Sequence, residues 1–240
     1  MINKENNVPY YLQIYNELKF RIDSMVYEPE DILPSENELV KEFGVTRVTV
    51  RNSIKKLKDE GRIHTKKGVG SYINPPKIVQ NLDRVYSFGK AFNEKGYKLE
   101  SKVIEINIET CNSSIQKNLQ LRANDTVIVI KIIRSLEDVP VVVQISYIPE
   151  YMVPGIAILD LNESYVYDVL EKKHNIKILK ATEYLDPVVA DEYYSELLQI
   201  ELNTPLYMTE RITYSDFDKP VEYRKCLIRN DKIRFSVELE

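Results

Sequence analysis

The sequence predicts an α+β chain in two parts, an N-terminal helical unit closed by a small hairpin and a C-terminal, mainly antiparallel sheet with helices. Three observations predict it. Apolar residues recur at helical spacing from Tyr11 to Leu57. Pro75-Pro76 then interrupts the chain, and alternating strand-like segments follow. The second part also repeats itself at an offset of 79 residues. A length of 240 residues accommodates two domains of ordinary size, with expected bounds of 1–74, a linker over 75–85, and 86–240.

Tyr11, Ile14, Leu18 and Ile22 share one helical face, so a first helix is expected from about Tyr10 to Met25, stopped by Pro29. In Pro34-Ser35-Glu36-Asn37-Glu38, Ser35 caps the next helix and Glu38 reaches back, a capping box opening a short helix that ends at Phe43. Gly44 supplies the left-handed residue after it. Thr46 caps a third helix, whose buried stripe is Val50, Ile54 and Leu57 and which runs to about Glu60; Gly61 closes it. Arg62-Ile63-His64-Thr65 and Gly70-Ser71-Tyr72-Ile73 flank Lys66-Lys67-Gly68-Val69, which reads as a β-hairpin with a basic tip.

The net charge of −4 conceals a strong asymmetry. Tyr15 to Val40 holds two basic and seven acidic residues, whereas Lys41 to Gly70 holds nine basic and three acidic. Positive charge collected on one segment is the footprint of a phosphate-binding face. Two helices joined at a glycine turn, the second carrying Arg47 and Arg51 one turn apart near its start, suit entry into the major groove of double-stranded DNA. Either arginine can donate two bonds to a guanine edge, and Thr46 and Thr49 can bond phosphate. Periodicity alone equally allows Arg47 and Arg51 to be ordinary exposed helix residues. No run of 18 apolar residues could span a bilayer, and Met1 to Val8 is polar, so a cytoplasmic protein without membrane contact is expected. Cys111 and Cys226 read as buried free thiols. With His64 and His174 the only histidines, no metal-ligand spacing can be assembled and no cofactor is expected.

Pro9-Tyr10-Tyr11-Leu12-Gln13-Ile14, Leu33 to Leu39, Val45-Thr46-Arg47-Val48-Thr49-Val50-Arg51, Glu60-Gly61 and Gly68-Val69-Gly70 together closely resemble the GntR family of bacterial regulators. The resemblance implies a winged helix-turn-helix in which Arg47 and Arg51 read bases, Thr46 and Thr49 touch backbone or bases, and Gly68 enters the minor groove. Ser35, Asn37, Lys66 and Lys67 complete the expected DNA-facing set. Two departures stand out. Met25 and Glu30 occupy positions where glycine is usual. Asn37 replaces a phosphate-contacting arginine, offering one hydrogen bond without the charge.

Beyond the prolines, helices are expected at Ser87–Lys95, Ser113–Leu119, Ser164–His174 and Ala190–Leu198. Strands are expected around 102–108, 127–135, 141–148, 177–185, 206–214, 221–227 and 233–239, joined by hairpins into a sheet with helices on one side. The repeat aligns Leu119–Asn124 with Leu198–Asn203, Val127 with Leu206, Ile132 with Arg211 and, after one inserted residue, Pro140-Val141 with Pro220-Val221 and Gln144 with Arg224. A pocket between two such copies could collect polar groups from both. Arg134, Arg211 and Arg224 are either edge residues or an arginine fork for a small anion.

Tyr86-Ser87-Phe88, the Arg134 strand, Pro140, Ser146-Tyr147-Ile148-Pro149, Tyr167 with Leu170, and Pro220-Val221-Glu222 make this half similar to the UTRA domain, which accompanies the GntR DNA-binding domain in the HutC subfamily and resembles the chorismate lyase fold. The resemblance implies effector contacts from Ser87, Phe88, Arg134, Ser146, Tyr167 and Glu222. Ile132 stands at a usual arginine, Gln144 at a usual glutamate, Tyr165 at a usual serine and Ile228 at a usual tyrosine, so a ligand other than an amino-sugar phosphate is expected. Arg211 and Arg224 are positioned by the repeat to replace the missing charge. The expected protein is a homodimeric, ligand-responsive repressor, released from a palindromic operator by a small anionic metabolite, with sugar phosphates among the classes considered. The competing reading is a chorismate-lyase-like enzyme fused to a DNA-binding unit, for which the sequence offers no nucleophile with a nearby histidine and no Gly-rich phosphate loop.

Overall fold

The structure is a computed structural model, and it describes residues 7–66, 68–83, 85, 88–156, 161, 165–216 and 218–239. The chain divides into two compact units, residues 1–78 and 79–240.

The first unit contains α1 (Tyr10–Asp23), α2 (Glu36–Phe43), α3 (Arg47–Asp59), β1 (Ile63–Lys66) and β2 (Gly70–Ile73). The apolar stripes meet as the periodicity requires: Ile14 and Leu18 of α1, Leu39 of α2, Val50 and Leu57 of α3, and Ile63 and Ile73 of the hairpin form one buried cluster. Each fully buried aliphatic side chain stabilises the unit by about 1.5–3 kcal/mol relative to exposure. Two polar ties fix α1 on α3. The buried Ser53 hydroxyl donates to Tyr11 O at 2.9 Å, and the Tyr15 hydroxyl donates to Glu60 Oε2 at 2.5 Å. Burial first, and then the hydrogen bond and charge of Glu60, push the Tyr15 pKa up to about 12.

The capping box forms with both hydrogen bonds, Glu38 N to Ser35 Oγ and Ser35 N to Glu38 Oε2. Gly44 closes α2 at φ 64°. The first helix ends before the expected Met25, and not because of Pro29. Met25 itself turns left-handed at φ 56°, with its N–H on Ile22 O and the Val26 N–H on Arg21 O. The hairpin tip is one residue shorter than expected, since Lys66 is a strand residue opposite Gly70. The segment before α2 lies along the hairpin, through Glu30 N to Ile73 O, Ile73 N to Asp31 O and Leu33 N to Ser71 O. Glu30 makes that alignment at φ 69°.

The second unit is a six-stranded sheet of order β4-β5-β6-β9-β8-β7 in which every neighbouring pair is antiparallel. The strands are β4 (Leu99–Thr110), β5 (Thr126–Leu136), β6 (Val139–Pro149), β7 (Ile178–Val189), β8 (Pro205–Ser215) and β9 (Pro220–Arg229), and the helices are α4 (Phe88–Glu94), α5 (Ser113–Leu119), α6 (Val166–His174) and α7 (Glu192–Leu198). A separate pair joins β3 (Ile78–Asn81), which lies inside the expected linker, to β10 (Ile233–Ser236).

The repeat is larger than the sequence alignment indicates. The strand, helix and strand over 99–110, 113–119 and 126–136 recur at 178–189, 192–198 and 205–215, displaced by 79 residues at both ends of each element. Asn112 and Asp191 cap the two helices through their side chains, and Gln120 and Gln199 end them, both at φ 53°. The copies meet at β6 and β9, the centre of the sheet.

The expectation of helices on one side is wrong. Val127, Val129, Ile145 and Tyr223 pack under Ile115 and Leu119 of α5, and Val143, Leu206 and Leu227 under Leu198 of α7. On the opposite face, Ile128, Ile130, Ile132 and Ile148 pack under Val166, Val169 and Leu170 of α6. The reason is visible in the run Val127-Ile128-Val129-Ile130, which has no polar alternation because both faces are covered.

Met25 and Glu30 carry side chains into a region where an L-residue costs about 1–2 kcal/mol more than glycine. Glu30→Gly should therefore stabilise the isolated first unit by about 0.5–1 kcal/mol, a rise of a few degrees in melting temperature by circular dichroism. An unchanged or lower midpoint would mean that the Glu30 side chain makes a compensating contact.

Candidate functional site

The start of α3 is where the first unit concentrates exposed donors. The Arg47 and Arg51 side chains are 56% and 62% exposed, open to any partner reaching that helix. Both are oriented by the start of α2. Glu36 accepts from Arg51 Nε with both carboxylate oxygens at 3.0 Å and lies 4.0 Å from Arg47 Nε. Arg47 Nη2 donates to Asn37 Oδ1. Thr46 Oγ1 and Thr49 Oγ1 are 2.9 Å apart at the N-cap of α3. Thus Asn37, Thr46, Arg47, Thr49 and Arg51 are brought to one surface. Glu36 is the member sequence reasoning missed: Ser35, Asn37 and Glu38 of its motif were given roles and Glu36 was not. Ser35 is occupied by the capping box, its hydroxyl donating to Glu38 Oε2 at 2.7 Å.

In the hairpin, the Lys66 ammonium sits 4.3 Å from the Tyr72 ring centroid, which holds the charge at the strand end. Gly68 adopts φ 79° with nothing within 4 Å of a notional Cβ, so its requirement is conformational and not one of packing within the unit. Lys67 lies outside the described residues.

In the second unit, alternation along the strands gathers polar residues on the face beneath α6. The cross-strand register sets Glu183 opposite Arg211, Arg211 opposite Arg224, Arg224 opposite Ser146, Thr213 opposite Glu222, and Gln144 opposite Cys226. Arg134, Gln144, Ser146, Arg211, Glu222 and Arg224 are all buried, which excludes the edge-residue reading of the three arginines. A continuous side-chain network crosses the two copies. Arg134 Nη1 donates to Ser101 Oγ at 2.6 Å and Nη2 to Gln144 Oε1 at 3.2 Å. Gln144 Nε2 donates to Ser146 Oγ at 3.0 Å, and Ser146 Oγ to Glu222 Oε1 at 2.7 Å. The Tyr167 hydroxyl donates to Glu222 Oε2 at 2.9 Å and lies 2.9 Å from Thr213 Oγ1.

Arg211 and Arg224 do line this face. Arg211 Nη2 donates to Glu183 Oε2 at 2.6 Å. Arg224 lies near two rings, its guanidinium carbon 5.9 Å from the Phe88 centroid and 5.8 Å from that of Tyr167. Its Nε and Nη2 are buried with no hydrogen-bond partner among the described residues. Burial pulls the Arg134 pKa down to about 10. Burial likewise opposes the charge on Arg224, but the field of the surrounding acidic groups, Glu222 and Glu183 among them, outweighs it and raises the pKa. Burial pushes the Tyr167 hydroxyl and the Cys226 thiol up, so both stay protonated at neutral pH.

Tyr165 departs from the expected set. Its hydroxyl accepts from Asn93 Nδ2 at 2.5 Å, and its ring fills the space over Gly89 of α4, where a Cβ would come within 2.0 Å of Cε1. It bonds α4 and not the polar network. Glu210, on the opposite side of β8, bonds Tyr223 and Lys225. Ser87 lies outside the described residues. Sequence reasoning missed Ser101, Glu183, Thr209 and Thr213. The period of two from Arg211 could have found both threonines, whereas Glu183 needed the β7 register.

Comparison with known proteins gives these sites a context. Residues 10–73 match the family described as bacterial regulatory proteins, gntR family, and residues 94–234 match the UTRA domain. The HTH-type transcriptional repressor NagR of Bacillus subtilis (strain 168) is 29% identical over 238 residues, spanning 98% of this chain and 96% of that protein. The mannosyl-D-glycerate transport/metabolism system repressor MngR of Escherichia coli (strain K12) is 24% identical, spanning 95% of each. The crystal structure of PhnF from Mycobacterium smegmatis shares the fold at a TM-score of 0.64 with 22% identity, covering 95% of this chain and 99% of that one. The NagR and MngR relatives are transcription regulators, not enzymes.

The Gly89 and Tyr165 contact yields a direct test. Gly89→Ala should force the Tyr165 ring out and destabilise the second unit by about 1–3 kcal/mol. Adding Tyr165→Ser should restore most of that loss, and a double-mutant cycle by urea unfolding measures the coupling. Additive losses would mean that the ring is not what the alanine meets.

Proposed function

Because the chain belongs to the UTRA-containing regulators of the gntR family, we propose that it is a dimeric repressor that leaves a palindromic operator when a small anionic metabolite binds its second unit. The first unit is the DNA-binding part and the UTRA domain the effector-binding part. The observation that carries the anionic effector is Arg224, 3% exposed, with two guanidinium nitrogens lacking a partner among the described residues. A buried charge of that kind is costly, and a ligand that supplies the acceptors recovers the loss on binding.

On this reading Phe88 and Tyr167 clamp the Arg224 guanidinium, while Arg134, Gln144, Ser146 and Glu222 hold the rest of the ligand's polar groups through their network. Arg211 supports Arg224 through the shared Glu183. Tyr165 acts as a wall held by α4 and Ser87 as a hydroxyl contact. In the first unit, Arg47 and Arg51 read guanine edges, and Thr46, Thr49, Asn37, Ser35, Lys66, Lys67 and Gly68 contact backbone or groove. Glu36 holds Arg51 until DNA supplies a better acceptor. Its partner is exposed, so the exchange costs little.

A second copy is required for affinity. One winged unit contacts a single half-site, whereas two on a palindrome gain through effective concentration. The sheet of the second unit would supply the dimer contact, and its edge strand β7 leaves Leu179, Leu185 and Val189 exposed. Effector binding need favour one dimer arrangement by only a few kcal/mol to change operator occupancy.

Electrophoretic shift on the protein's own promoter, with sedimentation to fix stoichiometry, tests this. Binding should be dimeric and weaken steeply with salt. Arg47→Ala and Arg51→Ala should each lose about 1–3 kcal/mol, and Asn37→Arg should tighten binding and steepen the salt dependence by about one phosphate contact. Tight binding by a monomer would overturn the proposal.

A further inference from the structure

We infer that the ligand of the second unit is a carboxylate, held side-on by the Nε–Nη2 edge of Arg224, an inference that rests on the effector reading above. Among the described arginines of this face, Arg224 is the one whose Nη2 lies near an acidic side chain without a hydrogen bond to it: Glu183 Oε1 is 3.9 Å away, beyond hydrogen-bond reach. Nε and Nη2 are both buried, and both lack an acceptor among the described residues. Their N–H bonds lie on the same side of a planar group and run parallel, which is the arrangement that receives the two oxygens of one carboxylate. The Phe88 and Tyr167 rings approach the same guanidinium, at 5.9 and 5.8 Å, and leave its edge as the place for an anion.

Charge decides between a carboxylate and a phosphate ester, either of which could use such an edge. Among the described residues, Arg134, Arg211 and Arg224 face Glu183 and Glu222, so one negative charge completes the balance. A phosphate monoester carries about 1.5–2 charges at neutral pH and a third acceptor oxygen. Arg134 already donates to Ser101 and Gln144, and Arg211 to Glu183. The surplus charge would therefore fall beside Glu183 and Glu222, which repel it. On the same face the buried Thr209 hydroxyl, opposite Cys226 and two residues from Arg211, is without a partner among the described residues. It offers a bond to a neutral ligand hydroxyl, so a hydroxylated carboxylate fits this face better than a plain one.

The test is thermal unfolding of the full chain at matched sodium and pH 7, with acetate, D-gluconate and D-glucuronate as one set of probes and inorganic phosphate and D-glucose 6-phosphate as the other. The expected result is a saturable rise of several degrees with the hydroxylated carboxylates, lost in Arg224→Gln, and none with the phosphates. Arg224→Lys keeps the charge without the paired donors and should weaken the response about tenfold, which protects the test if Arg224→Gln does not fold. Phosphates that act through Arg224 while carboxylates do not would overturn this inference and leave the anionic-effector reading standing. No response to either set would overturn both. A carboxylate response that survives Arg224→Gln would remove Arg224 from the site.

Discussion

A guanidinium taken out of water has to find counter-charge and acceptors where it lies, and the second unit is organised around three that have been taken in. Arg134 is met by neutral acceptors, Ser101 and Gln144; Arg211 by a carboxylate, Glu183; Arg224 by two aromatic faces and a carboxylate at a distance. These are three grades of compensation in one layer of one sheet. The least compensated is the one that lies centrally, opposite both Arg211 and Ser146 and beside the junction of the two copies. Low local dielectric strengthens whatever pairs with it and penalises whatever does not.

The repeat explains how a stable sheet tolerates this. On the face under α6, the first copy places Ile128, Ile130 and Ile132, which form a dry cluster with Val166, Val169 and Leu170. At the matching positions of the second copy stand Tyr207, Thr209 and Arg211. The same backbone thus carries an apolar half that holds α6 down and a polar half free to diverge in chemistry. The opposite face does not diverge in this way: α5 and α7 cap apolar clusters in both copies. Apolar packing and the buried polar network thus occupy different surfaces of one duplicated unit, which lets the polar surface be poorly satisfied without loosening the whole.

Much of this was legible in the sequence, and the failures have physical causes. Local rules sufficed in the first unit, because its helix ends are set by residues three or four apart: the Ser35 and Glu38 box, Gly44 and the Thr46 cap. The same locality misplaced the end of α1, where Met25 takes a conformation that its side chain does not advertise. In the second unit the repeat sets Arg211 and Arg224 at the strand positions matching Ile132 and Gln144. Helix placement failed because an uninterrupted apolar strand was read without asking what covers its second face. Glu183 was invisible because its role depends on β7 lying beside β8, a pairing between chain segments that local pattern does not specify. Tyr165 fails differently: its partner Gly89 is a residue defined by what it lacks, and only the packed structure shows the ring that needs the space.

The two units use arginine in opposite ways, and burial is the variable that separates them. Arg51 is held by Glu36 at 3.0 Å but remains 62% exposed, so water competes with the pair and its net worth is about 0–1 kcal/mol. Such a pair holds the side chain in place at little net gain and gives way readily to a stronger acceptor. Arg224 at 3% exposure has no water to fall back on. Any acceptor that reached it would interact correspondingly strongly, and the Phe88 and Tyr167 ring centroids lie 5.9 and 5.8 Å from its guanidinium carbon. An exchange of partners that costs little suits a surface that has to test many DNA sequences and leave most of them. On the proposed function, a buried, underpaired charge suits a site that responds to a small molecule. That division of labour follows from where the fold puts each arginine.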